Sequence, residues 1–227
     1  MDRSKLYDYS DGSRFLNKSA KEIFSEIEKR NVWHEKESVS GSGSSLVQTK
    51  TIIEVIPKII RELGIKTIFD IPCGDFNWFK EINLSSNIYL GGDIVKDIVD
   101  RNNQKYRRNN INFVQFNILE DIQETMDLVF CRDCLVHFST MDIWKALSNI
   151  QKSNSRYLMT TTFTREVKNN DIVTGGWRPL NLIKKPFNFP KPLLIVNENC
   201  TEKDGIFRDK SLALWKIKEL VLKQTLV

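Results

Sequence analysis

No apolar run in this 227-residue sequence approaches the ~20 residues of a membrane span, and its opening stretch, MDRSKLYDYSDGSRF, holds no apolar signal core. A cytosolic protein is expected, or one in the cytosol of a host cell. Histidine occurs only twice and cysteine four times. Cys131 and Cys134 form a C-x-x-C, but no second pair exists to complete a zinc site, and Cys73 and Cys200 stand apart. Free buried thiols are expected, with no metal site. No one sign of charge prevails either: 34 basic minus 29 acidic residues leave +5. The densest basic spots, Lys105 to Arg108 and Lys184-Lys185, read as solvated faces and argue against a nucleic-acid partner.

What is present suits one globular α/β domain. Hydrophobic residues make up 41% and charged residues 28%, and the length suffices for a full core. The chain is organised around Lys66 to Trp78, KTIFDIPCGDFNW. Ile68, Phe69 and Ile71 read as a buried parallel strand. The strand breaks at Pro72-Cys73-Gly74-Asp75, and a helix from Trp78 to about Ile82 is expected beyond it. A strand ending in an acid, a glycine turn and a helix N-terminus together make a nucleotide-type cradle.

Asp70-Ile-Pro-Cys-Gly74-Asp75 resembles the first motif of class I S-adenosylmethionine (SAM) dependent methyltransferases, an acid followed by Gly-Cys-Gly-x-Gly. Pro72 and Phe76 stand where glycines are common. The resemblance implies a Rossmann-like fold: seven mostly parallel strands, helices on both faces and a C-terminal antiparallel hairpin. It also implies SAM as cofactor, with S-adenosylhomocysteine (SAH) as its product, and it makes Asp70, Pro72, Gly74 and Asp75 cofactor-binding residues.

Before this motif, Phe15, Leu16, Ala20, Ile23, Phe24 and Ile27 give an apolar helical face, with Ser19 as a candidate cap. The polar run Glu35 to Ser45 reads either as a flexible linker or as a lid, and a helix over Leu46 to Leu63 follows. Residues 1–45 are thus an N-terminal helix and lid, and residues 46–227 the main domain. ESVSGSGSS with Thr49 is similar to a lead-in segment of a bacterial and viral subgroup of these methyltransferases. That likeness places Trp33, Gly41, Gly43, Ser44 and Thr49 at the methionine end of SAM.

Downstream, Asn87 to Val95 reads as the second strand, with Asp93 at its end. Its two carboxylate oxygens suit a ribose diol, and it lies about twenty residues past the glycine turn. A polar helix is expected over Val95 to Arg107. The third strand, from Ile111, leads to Asn117, which either accepts from an adenine amino group or simply forms a turn. Ile94 and Ile118 are carried with these two as cofactor-binding residues.

The fourth strand, Asp127-Leu-Val-Phe, ends at Arg132-Asp133, where ligands bind in open parallel sheets. Arg132 is expected among the cofactor-binding residues; it could also neutralise an acid in the substrate, pair with Asp133 or be plain scaffold. His137 lies four residues beyond Asp133, which suggests a general base and an orienting acid; a packed structural histidine is the alternative, and Asp133 could itself be the base. After a helix over Met141 to Ile150 comes the fifth strand, Ser155 to Phe163. The irregular stretch Thr164 to Pro192 reads as an acceptor-binding flap presenting Trp177, Arg178 and Asn181, or else as a packing arm. Leu193 to Glu198 and Lys210 to Ile217 form the closing hairpin. The leading acceptor is a sugar hydroxyl in a glycan or glycan precursor, which rests on the subgroup resemblance. A small metabolite, a protein or RNA are rival acceptors, and a non-catalytic SAM-fold partner protein is the rival of another class.

Overall fold

The computed structural model describes residues 12–33, 35–166 and 168–222. Seven strands form one sheet: β1 (Thr67–Asp70), β2 (Ile88–Asp93), β3 (Ile111–Gln115), β4 (Leu128–Cys131), β5 (Tyr157–Phe163), β6 (Leu194–Asn197) and β7 (Lys210–Lys216). Their order is β3-β2-β1-β4-β5-β7-β6. The first five strands are parallel, while β7 runs antiparallel to both β5 and β6. The connection reverses direction between β1 and β2 on one side and β4 on the other. That switch point opens a crevice at the carboxyl ends of β1, β2 and β4.

The central strands are apolar on both faces because helices cover both. On one face α2 (Leu46–Glu62) sets Ile52, Ile56, Ile59 and Ile60 against Ile68, Tyr89 and Phe130, with Val99 of α3 (Lys96–Tyr106) beside them. On the other, α4 (Thr140–Lys152) sets Ile143, Trp144, Leu147 and Ile150 against Phe69, Val129 and Leu158. Each such fully buried side chain contributes roughly 1.5–3 kcal/mol of hydrophobic stabilisation.

The N-terminal helix α1 (Ala20–Lys29) begins at a reciprocal capping box between Ser19 and Glu22. Phe15, Ile23 and Ile27 form its small core. Leu16, read from sequence as part of that face, is 59% exposed. The α1 face packs so closely on Gly175 that a Cβ there would lie 2.5 Å from the Phe15 ring.

Two elements differ from the sequence reading. No helix follows the glycine turn; residues 76–82 hold only a single 3₁₀ turn, Phe79–Glu81. Phe76, Trp78, Phe79 and Ile82 are all buried, so the segment has too little polar face to lie as a surface helix. The stretch Thr164 to Pro192 is a packing arm rather than a flap. Trp177, Leu180, Leu182, Phe187 and Phe189 all join the core beneath α4. Among the described residues no helix is long and apolar enough to cross a membrane.

Candidate active site

The crevice holds an inner cavity of about 130 Å³. Its floor is the turn after β1. Gly74 takes φ +53°, the left-handed region that glycine favours. Phe76 takes φ +58° without being glycine, and its ring turns away into a cluster with Phe79, Tyr89, Tyr106 and Phe113. The bend is therefore not plugged by Phe76, while Pro72 lines the cavity.

Asp93 ends β2 and ties this turn in place. One carboxylate oxygen accepts the Gly74 N–H at 3.1 Å and the other the Val95 N–H at 2.9 Å. Burial pushes its pKa up to about 6. Asp70, at the end of β1, accepts the Tyr89 hydroxyl at 2.6 Å, and burial pushes it up to about 8. Both carboxylates line the inner cavity, with Ile94, Asn117 and Ile118. The Asn117 side-chain Oδ1 accepts the Leu119 N–H at 3.1 Å, which is a turn-forming role.

The segment 38–45 lies across the glycine turn. Asp75 accepts from Ser38 Oγ at 2.9 Å and from the Val39 N–H at 3.0 Å. A Cβ on Gly74 would meet Ser40 Oγ at 2.1 Å, so any side chain there would displace the Ser40 hydroxyl. Arg132 donates to the Gly43 carbonyl at 2.7 Å, and Ser42 Oγ donates to Glu202. The segment is thus stitched to the turn, to the end of β4 and to the β6–β7 connection.

Beneath Gly43 is a buried charge cluster. Arg132 pairs with Glu198 at 2.7 Å and with Asp133 at 3.3 Å, and Lys210 reaches Asp133 at 2.5 Å. Burial alone would raise the Asp133 pKa. The charges of Lys210 and Arg132 overcome it and hold the carboxylate well below its ordinary range. A carboxylate so stabilised is a poor proton acceptor near neutral pH, which counts against Asp133 as base. Nor does Asp133 orient His137, since its partners are Lys210, Arg132 and Thr161.

The group that orients His137 is a backbone carbonyl. His137 closes a 3₁₀ turn, Leu135–His137, and its Nδ1 lies 2.8 Å from the Gly176 oxygen. A carbonyl only accepts, so Nδ1 carries the proton and Nε2 keeps its lone pair. Burial lowers the imidazole pKa against the opposing pull of this hydrogen bond and of Asp133, which favours the neutral ring. The Trp33 ring lies 5.5 Å from it, centroid to centroid.

His137, Trp33, Asp133 and Ser40 also line a second, outer cavity of about 790 Å³. The crevice thus brings together Trp33, Ser44, Asp70, Pro72, Gly74, Asp75, Asp93, Ile94, Asn117, Ile118, Arg132, Asp133 and His137 around the inner cavity. Gly41, Gly43 and Trp177 border the outer one. Three expected site residues lie elsewhere. Thr49 is fully buried in α2, its hydroxyl donating to the Ser45 carbonyl. Arg178 is 1% exposed and donates to the Asn170, Leu135 and Val136 carbonyls. Asn181 is buried and donates to the Glu166 carbonyl. All three donate to backbone carbonyls inside the fold, though Arg178 Nη2 is left without a partner among the described residues.

Sequence reasoning missed Phe24, Val39 and Phe116 of the inner wall, and Lys210 and Glu202 of the outer one. Phe24 sits on the α1 face already read as apolar. Lys210 and Glu202 belong to a strand start and a polar loop, with no local signal of a site.

Residues 69–154, from within β1 to just past α4, match a family model described as a methyltransferase domain. Among solved structures, magnesium protoporphyrin IX methyltransferase (ChlM) from Synechocystis PCC 6803 with bound SAH is similar at 12% identity and a TM-score of 0.60, over 87% of this chain and 99% of that one. The N-methyltransferase NodS from Bradyrhizobium japonicum WM9, in complex with SAH, aligns at 14% identity and 0.58, over 85% and 97%. A SAM-dependent methyltransferase from Clostridium acetobutylicum ATCC 824 aligns at 14% and 0.55, over 74% and 91%. At such identities the likeness is one of fold. No curated protein matches the chain.

Proposed function

We propose that the protein is a SAM-dependent O-methyltransferase whose acceptor is a hydroxyl of a sugar, in a glycan or glycan precursor, with His137 as general base. The observation that carries the reading is the Nδ1 to Gly176 hydrogen bond, which leaves a neutral imidazole with its lone pair on Nε2, on a wall common to both cavities.

The residues present fit SAM. Asp93 is a buried strand-end acid whose remaining acceptor capacity suits a ribose diol, and Ile94 and Ile118 are apolar neighbours for an adenine ring. Asp93, with a pKa of about 6, is mostly ionised at neutral pH and gives the cavity floor a negative charge suited to a cationic ligand. When bound there, SAM supplies an electrophilic methyl group on a sulfonium. His137 would take the hydroxyl proton at Nε2 as the oxygen becomes nucleophilic, and Trp33 with the segment 38–45 would exclude water. The outer cavity combines Trp33, Trp177, Phe163 and Phe207 with Gln48, Ser42 and charged groups. Aromatic faces with hydrogen-bonding rims suit a sugar ring.

The test pairs binding with turnover. SAM and SAH are expected to raise the Tm of the native chain, and Asp93→Ala is expected to abolish that shift. With a panel of glycan acceptors and labelled SAM, His137→Gln is expected to keep the thermal shift and lose at least about a hundredfold in turnover. No thermal shift in the native chain would remove the cofactor reading. Full turnover in His137→Gln would remove the base.

A further inference from the structure

We propose that Arg178 is a positioning residue for His137: its buried guanidinium fixes the turn that carries the imidazole and keeps Nε2 free of a proton. This rests on the reading of His137 as the base and names what sets that base.

Two strips of chain meet here. The 3₁₀ turn Leu135–His137 lies against residues 174–178, and the contacts alternate between them. The Gly175 N–H donates to the His137 carbonyl at 2.8 Å, His137 Nδ1 donates to Gly176 O, and the Arg178 N–H donates to the Val136 carbonyl at 3.1 Å. The Arg178 side chain closes the set from below, Nη1 donating to the Val136 and Leu135 carbonyls at 3.2 and 3.4 Å.

A neutral donor would serve that bracing equally well. Instead the chain buries a cation. Among the described residues Arg178 forms no ion pair, and its buried Nη2 has no hydrogen-bond partner. A buried, unpaired charge is costly, so a role that only a charge can fill is the economical account. Burial lowers the guanidinium pKa to about 10, still ionised at neutral pH.

What the charge adds is its field on the imidazole. The charged groups on the cavity walls that His137 shares are Asp133 and Arg132 at the end of β4, Asp70, Asp75 and Asp93 at the β1 and β2 ends, Lys210 on β7, Glu28, Arg14 and Arg30 of the N-terminal region, and Glu202 and Lys203 of the β6–β7 connection; Asp171 acts on Arg178 from the other side. Asp133 favours the protonated ring, but it is engaged by Lys210 and Arg132. Arg178 and Lys210 oppose protonation. The charge of Asp171 acts on Arg178 without forming an ion pair, whereas Lys210 is paired with Asp133 and Glu198, so the Arg178 field reaches the ring with less cancellation than that of Lys210.

The test reads the ring directly and needs no acceptor. Long-range ¹H–¹⁵N spectra follow the chain's two histidines through a pH titration, with His34→Gln assigning the second signal. In the native protein His137 is expected to be neutral at pH 7, with the proton on Nδ1. Arg178→Gln keeps a donor for the turn and removes the charge; the His137 midpoint is expected to rise and the Nε2–H tautomer to appear. Arg178→Lys keeps the charge, and the midpoint is expected to stay near the native one. An unmoved midpoint in Arg178→Gln, or an equal rise in both variants, would overturn the proposal. So would a native His137 that is protonated or carries its proton on Nε2 at pH 7, a measurement that needs no Arg178 variant. Loss of turnover is judged separately in His137→Gln, so the base can fail while the Arg178 effect stands.

Discussion

Replacing Asp75 by alanine is expected to open one half of the segment 38–45 and leave the other half closed. The carboxylate holds Ser38 Oγ at 2.9 Å and the Val39 N–H at 3.0 Å. Hydrogen bonds to a charged group contribute about 1.5–3 kcal/mol each. Asp75 is only half-buried, so the lower end applies, about 3 kcal/mol for the two. At about 1.4 kcal/mol per factor of ten, local opening becomes roughly a hundredfold more frequent. Arg132 still holds the Gly43 carbonyl at 2.7 Å, and Glu202 still holds Ser42, so the loosening stops short of Ser44. Amide exchange resolves the two halves. The Val39, Ser40 and Gly41 N–H groups lose protection by that factor, because they rest on Asp75 directly or through Ser38. The Ser44 and Ser45 N–H groups, bonded to the Gly41 and Ser42 carbonyls, keep most of theirs. Unchanged exchange at Val39 in a folded variant would refute the reasoning. Uniform loss from Ser38 to Ser45 would show that the three anchors act as one.

Gly74→Ala is expected to cost about 1–3 kcal/mol, since it combines φ +53° with a Cβ 2.1 Å from Ser40 Oγ. Adding Ser40→Ala is expected to recover part of that in a double-mutant cycle read by urea unfolding; strict additivity would sink the contact. Asp70 has a folded pKa near 8, raised by burial above its unfolded value of 3.8. The folded state therefore binds the extra proton, and stability falls as pH rises between those values. From pH 6 to pH 8 the native chain is expected to lose roughly 2 kcal/mol relative to Asp70→Asn, and parallel stability profiles would refute this. Thr49→Val is expected to leave SAM binding unchanged, because the hydroxyl serves only the Ser45 carbonyl; weakened binding by calorimetry would restore Thr49 to the site.

The strands and the acids at their ends were legible because their signals are local. Asp70 and Asp93 each end an apolar run, and parallel pairing then brings those ends together without further information. Thr49 was misplaced although the sequence held the correction. It begins the stripe 49, 52, 56, 59 on the buried face of α2, and helical period alone assigns it to the core. Arg178 and Asn181 misled for another reason. Polar residues beside aromatics in an irregular stretch read as a binding surface, but here they satisfy backbone carbonyls inside the fold. The partner of His137 could not be read at all. Gly176 lies 39 residues away in a stretch without periodicity, and a carbonyl leaves no mark in a sequence.

The absent helix after the glycine turn changes how this site must handle its ligand. In a strand-turn-helix cradle, free N–H groups at the helix start face the ligand. Here residues 76–82 are spent on an aromatic core, and the Asp75 N–H faces Ser40 Oγ at 3.3 Å. The N-terminal segment therefore supplies what the helix does not: its serines and backbone roof the turn, and its position depends on Asp75, Arg132 and Glu202. These three residues sit at the ends of β1 and β4 and in the β6–β7 connection, on both sides of the crevice. A segment fastened to both sides cannot shift over the inner cavity without disturbing the outer one, because Ser40 walls both. The inner and outer cavities are, in this chain, two faces of one short strip of serine and glycine.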